Sequence, residues 1–177
     1  MDMSHYVSNL ALLVSRQIMK TIKVLIIGEG SVGKTSFLYR KFLQEEIYTN
    51  PTTGFNVENI KVNNTIIQCL DLGGGCKIRT LIPHYLHDTN VILCVYSVDY
   101  RYSFDVLYEE FLVNCINKNP ETKMILVGNK CDMETSRQVS YNEGLEFAKS
   151  HNMLFFETSV KNNKNIDSVF TWISHFG

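Results

Sequence analysis

An α/β protein built on a doubly wound six-stranded sheet, mostly parallel with one antiparallel strand and about five helices, is the fold this sequence predicts. Three observations carry that prediction. After an apolar run at Ile22 to Ile27, continuous apolar runs of strand length recur at Val91 to Tyr96, Met124 to Val127 and Met153 to Phe156, the pattern of parallel strands covered on both faces. Segments of helical periodicity separate them, and strands alternating with helices of this length form right-handed crossovers. A glycine-rich loop, Gly28-Glu29-Gly30-Ser31-Val32-Gly33-Lys34-Thr35, joins the first run to a helix-patterned segment.

Taken in order, residues 1–20 place Val7, Leu10, Ala11, Val14 and Ile18 at the spacing of an amphipathic helix, an extension ahead of a single domain at 21–177. Its apolar centre is too short to span a bilayer, and Asp2 without a positive n-region argues against a secretory signal. A helix lying in a membrane interface and a helix packed on the protein's own surface both remain open. After the glycine loop, Phe37, Leu38, Phe42 and Leu43 are read as one buried helix face. Tyr48 to Gly54 is rich in residues that favour irregular backbone. Phe55 to Val62 and Thr65 to Leu70 read as an antiparallel hairpin, because Asn63-Asn64 tolerates the positive φ of a tight turn. Asp71 ends that second strand and Gly73-Gly74-Gly75 follow, an invitation to mobility or to close approach of a ligand. Lys77 to Leu86 reads as a short helix broken or entered at Pro83. Further on, Phe104, Leu107, Tyr108, Phe111 and Cys115 share a face, Ser140 to Glu143 is a capping box, and Ile166, Val169, Phe170 and Ile173 share the face of the last helix.

The 177 residues suit one domain with a substantial core. Lys plus Arg is 17 against 18 Asp plus Glu, a formal net charge of −1, which gives no electrostatic ground for a nucleic-acid partner. Five cysteines, odd in number and without a C-x-x-C, indicate neither a disulfide framework nor a zinc site, so a reducing cytoplasmic setting is expected. Cys76 and Cys131 are read as incidental thiols exposed near the site.

The glycine loop carries the chemistry. Gly28, Gly30 and Gly33 let backbone N–H groups, those of Ser31 and Val32 among them, turn onto phosphate oxygens. Lys34 reaches the β- and γ-phosphates, the Thr35 hydroxyl takes Mg²⁺, and Ser36 continues the first helical turn, whose dipole favours the same anion. Ligands of such sheets bind outside the carboxyl ends of the strands, and there the remaining polar clusters fall: Asp71, Asn129 to Asp132, and Glu157 to Lys161. Asp71 holds Mg²⁺ directly or through water, Thr52 completes the metal shell, and Gly74 offers a backbone N–H to a γ-phosphate. Asp132 accepts the N1–H and 2-amino group of guanine, a donor pair adenine lacks. Asn129 and Lys130 brace the base and the loop, while backbone N–H groups near Ser159, Val160 and Lys161 meet the guanine oxygen.

These motifs, in this order, resemble those of the Ras superfamily of small GTPases, over nearly the whole chain. Pro51 to Glu58, Asp71 to Tyr85 and Trp172-Ile173-Ser174 look like Arf proteins; Val127 to Met133, Val139-Ser140-Tyr141 and Phe155 to Lys161 look like Rab proteins. The resemblance implies a small G domain binding GTP or GDP with Mg²⁺, hydrolysing GTP, and meeting effectors, an exchange factor and a GTPase-activating protein, with a role in vesicle trafficking or signalling. Several positions depart from it. Gly75 stands where both families usually carry the Gln that orients the attacking water, so slow hydrolysis is expected. Leu70 replaces a Trp of the effector-reading surface, and Val160 replaces an Ala beside the base. Asp2 excludes N-myristoylation and no prenylatable cysteine ends the chain, so another device for peripheral membrane contact, or membership of a longer chain, is expected, as is a monomer.

Lys34 and Thr52, with Gly75 leaving the water-positioning role unfilled, make up the expected catalytic set of a switch. A second reading is a module that holds GTP as a structural ligand and presents one fixed surface. A small-molecule P-loop kinase shares only the first motif and lacks an Arg-rich lid.

Overall fold

The computed structural model describes residues 19–43, 49–50, 52–75, 80–116 and 120–175. The amphipathic extension, Tyr48, Pro51, and the stretch from Cys76 to Arg79 lie outside the described residues. Six strands form one sheet: β1 (Lys20–Ile27), β2 (Phe55–Val62), β3 (Thr65–Leu72), β4 (Val91–Ser97), β5 (Lys123–Asn129) and β6 (Leu154–Glu157), in the order β2-β3-β1-β4-β5-β6. Among the described strand pairs only β2–β3 is antiparallel. Its two-residue turn pairs Val62 with Thr65 and holds Asn63 at φ 54°, the left-handed conformation asparagine tolerates. β1 begins at Lys20, inside the region assigned from sequence to the extension.

The helices are α1 (Lys34–Leu43); α2 (Ile82–Tyr85), entered through Pro83 and followed by a 3₁₀ turn at Leu86–Asp88; α3, running through Arg101–Val106, a π-helical stretch at Leu107–Leu112 and Val113–Ile116; α4 (Tyr141–Ser150); and α5 (Ile166–His175). Side chains alternate across β1, so Ile22, Val24 and Ile26 pack under α1 and α5 while Leu25 and Ile27 face the layer containing α3 and α4. Every residue of β4 is buried, as a central parallel strand requires. Phe37 of α1 stacks on Phe170 of α5 with ring centroids 5.4 Å apart, both rings fully buried. Truncating either to Ala would cost about 3–5 kcal/mol and loosen the helix that begins with Lys34. The Ser140–Glu143 capping box is formed in both directions, fixing the start of α4.

Two helix faces differ from their sequence reading. Phe42 and Leu43 are exposed, because at about 100° per residue they lie roughly 140° and 240° around α1 from Phe37. Tyr108 is also exposed and rests against His151, whereas Leu112 is buried. The wider π turn rotates the buried face by that much within α3.

Candidate functional site

The glycine loop leaves the carboxyl end of β1 at the middle of the sheet. Gly28 has φ 144°, and a Cβ there would overlap the Val95 carbonyl oxygen of β4. Gly33 has φ 92°, and a Cβ would run into Asn129 Nδ2. Neither position accepts another residue, so the loop's curvature and its seat against β4 and β5 are built into these two glycines. Ser31 sits at φ 63° between them. Lys34 is buried, its ammonium folded over the loop to donate to Gly28 O at 2.8 Å and Glu29 O at 2.7 Å. The side chain of Glu29, to which the sequence assigns no role, accepts the Gly30 N–H at 2.7 Å.

On the neighbouring strand, Asp71 lies inside β3 rather than after it, and its side chain is fully buried. The Thr35 hydroxyl donates to Asp71 Oδ2 at 2.5 Å and stands 2.9 Å from the Thr52 hydroxyl. Asp71 Oδ1, also buried, has no hydrogen-bond partner among the described residues. Burial pushes this carboxyl above the usual carboxylate range, partly opposed by the Thr35 hydroxyl and the Lys34 charge. Two hydroxyls and a carboxylate, one of whose buried oxygens is unsatisfied, form a hard donor set that fits Mg²⁺. Nearby, Ser36 Oγ lies 3.2 Å from Thr49 Oγ1.

Gly73 donates its N–H to Gly54 O at 3.0 Å, tying the end of β3 to the start of β2. The backbone of Gly74 rests directly on Glu29 and Gly30, leaving no room for a Cβ. At Gly75, by contrast, a Cβ would meet nothing within 4 Å among the described residues.

The far side of the cleft is built from β5 and β6. Asn129 Nδ2 donates to Val32 O at 2.9 Å and Asn129 Oδ1 accepts from Thr158 Oγ1 at 3.1 Å, so the amide is locked between loop and strand. Ser159 Oγ donates to Asp132 Oδ1 at 2.5 Å and accepts the Asn162 N–H at 3.0 Å. Lys130 takes a left-handed φ of 60°, with Nζ 3.8 Å from Asp99. Cys131 is buried, contrary to its reading as an exposed thiol, because its N–H donates to Thr158 O and draws the loop inward. Thr158 is a further functional position for which the sequence offered only membership of a polar cluster. A cleft of about 760 Å³ joins all three regions, touching Lys34, Thr35, Thr52, Gly75, Asp132 and Lys161 among its walls. Leu70 lines a separate recess of about 240 Å³ with Phe55, Val57 and Tyr85.

A loop of this curvature, set between a central parallel strand and a helix, marks a P-loop nucleotide-binding protein of the small-GTPase kind. Residues 23–175 match the model of the Ras family, and the chain belongs to it. It is 33% identical over 159 residues to the Ras-related protein Rab-1 of Theileria parva, covering 86% of this chain and 72% of that protein. To the Ras-related protein Rab-18 of Lymnaea stagnalis it is 37% identical over 163 residues, covering 88% and 79%. To the Ras-related protein SEC4 of Candida albicans (strain WO-1) it is 34% identical over 157 residues, covering 84% and 73%. The Rab side of the mixed resemblance has direct counterparts in these relatives.

Proposed function

We propose that this chain is a guanine-nucleotide switch that binds GTP and GDP with Mg²⁺ and hydrolyses GTP slowly. The observation that carries the reading is the single cleft that gathers the glycine loop, the Thr35–Thr52–Asp71 oxygens and the Asn129–Asp132–Ser159 pair. In it, Gly28, Gly30, Ser31, Val32, Gly33 and Ser36 hold the phosphates by backbone and helix dipole. Thr35, Thr52 and Asp71 hold Mg²⁺, which when bound neutralises charge on the β- and γ-phosphate oxygens. Lys34 exchanges its two carbonyl partners for phosphate oxygens. Asp132, kept aimed by Ser159, reads the guanine edge; Asn129 and Lys130 brace it, and the backbone at Val160 and Lys161 meets the base oxygen. Water attacks the γ-phosphorus as the bond to the β–γ bridging oxygen breaks, giving GDP and phosphate.

Hydrolysis is slow in this reading because Gly75 has no side chain to orient that water. A GTPase-activating protein then supplies the missing group, and an exchange factor and effectors act on the segments around Thr52 and Gly73 to Arg79. The Rab relatives support a place in vesicle trafficking or signalling, and the extension ahead of β1 is available for peripheral membrane contact. Among the described residues no helix is long and apolar enough to cross a membrane.

The bare Gly75 also favours a second reading, a module that holds GTP without turnover and presents a fixed surface. Single-turnover phosphate release, measured beside effector or antibody-fragment binding in the GTP and GDP states, separates the two. Slow release with state-dependent binding supports the switch; no release and identical binding leaves only the module.

A further inference from the structure

The guanidinium of Arg137 has all five of its N–H donors engaged. Nε and Nη2 donate to Glu134 at 2.9 and 2.8 Å, Nη1 and Nη2 to Glu157 at 2.6 and 3.1 Å, and Nη1 also to Val139 O at 3.0 Å. The Arg137 and Glu157 side chains are only 15% and 9% exposed, whereas Glu134 is 68% exposed. The inner pair is therefore the consequential one, since exposed pairs contribute little.

Its position matters more than its strength. Glu134–Ser136 is the 3₁₀ turn that follows Asp132 in the chain, and Glu157 is the last residue of β6, immediately before Thr158 and Ser159. Those two hydroxyls hold Asn129 and Asp132. β6 is a four-residue edge strand paired only with β5, so its own ladder gives the loop beyond it little support. Asn165 adds one hydrogen bond to Glu157 O at 2.8 Å. Arg137 thus ties together the bases of both loops that face the nucleobase.

We propose that Arg137 is a positioning residue for base recognition: by clamping Glu157 to the turn behind Asp132, it keeps the Ser159–Asp132 pair aimed at the 2-amino group of guanine. This rests on the guanine-nucleotide reading above. The test compares dissociation rates of GDP and IDP, whose hypoxanthine base lacks that amino group, in wild type, Arg137→Lys, Glu134→Gln and the double variant Arg137→Met/Glu157→Gln. A lysine cannot reproduce the two-pronged contact with both Glu157 oxygens while also reaching Val139 O, and the double variant avoids stranding a buried charge should Arg137→Lys fold poorly.

Wild type should release IDP faster than GDP. Arg137→Lys and the double variant should release GDP about tenfold faster with IDP little changed, so that the preference collapses. Glu134→Gln should keep it. Equal acceleration of GDP and IDP, the signature of general loosening, or no change in either, overturns the proposal while leaving guanine binding intact. A wild type indifferent between GDP and IDP overturns both it and the reading on which it rests.

Discussion

Replacing Gly75 with Gln restores a side chain able to orient the attacking water, and the structure says why this change can be read cleanly. Among the described residues a Cβ at Gly75 meets nothing within 4 Å and the backbone there is not left-handed, so a side chain can leave the backbone there without clash or strain at its first carbon. Positioned acid–base and water-orienting groups contribute about 10²- to 10⁴-fold. Ordering a long amide side chain costs roughly 1–2 kcal/mol, about tenfold in rate. The expected net gain is therefore about 10- to 10³-fold in single-turnover phosphate release from GTP-loaded protein. Gly75→Ala occupies the same space without an amide and should leave the rate unchanged. Gly74→Ala, one residue earlier, drives a methyl into the glycine loop and should impair nucleotide binding itself. A Gly75→Gln protein that binds nucleotide normally and hydrolyses GTP no faster would refute the reasoning.

Three other changes have definite outcomes. Asp71→Asn removes the buried carboxylate whose Oδ1 is unpartnered, so nucleotide release should accelerate about tenfold or more and lose its sensitivity to EDTA, measured with a fluorescent nucleotide. Asp132→Asn should weaken GDP by at least about 10²-fold while improving xanthosine nucleotides, whose 2-oxo group accepts where guanine donates, as read by competition binding. Glu143 is held down to about 2 by the Arg101 side chain first and then by the Ser140 backbone and hydroxyl. Its folded value lies below its unfolded one, so its stabilisation is present above about pH 4.5 and is lost as pH falls toward 2. Because the group is exposed, Glu143→Gln should cost no more than about 1 kcal/mol at neutral pH and flatten that acid limb of the denaturation curve.

The central strands β4 and β5 were legible because parallel strands covered on both faces must be apolar on both, the β2–β3 hairpin because of its Asn63-Asn64 turn, and the glycine loop because phosphate binding demands its spacing. Asp132 and Asn129 stood out as polar residues at a strand end where ligands gather. What escaped were features set by three-dimensional approach. Only the sheet reveals that Gly28 and Gly33 are forbidden a Cβ by Val95 and Asn129, or that Asp71 is buried inside β3 with an idle oxygen. Tyr108 left the predicted face because a π turn carries no periodic signature of its own. Arg137 gave no signal at all, since its partners lie 3 and 20 residues away and nothing in a polar loop sequence pairs them.

The most direct test of guanine-nucleotide binding is to purify the full chain without added nucleotide, denature it, and identify what is released by ion-exchange chromatography. A stoichiometric guanine nucleotide is the expected result, with a substantial share of GTP if Gly75 slows hydrolysis as argued. Release of an adenine nucleotide, or of none together with no uptake of GTP or GDP on incubation, would contradict the assignment of the cleft.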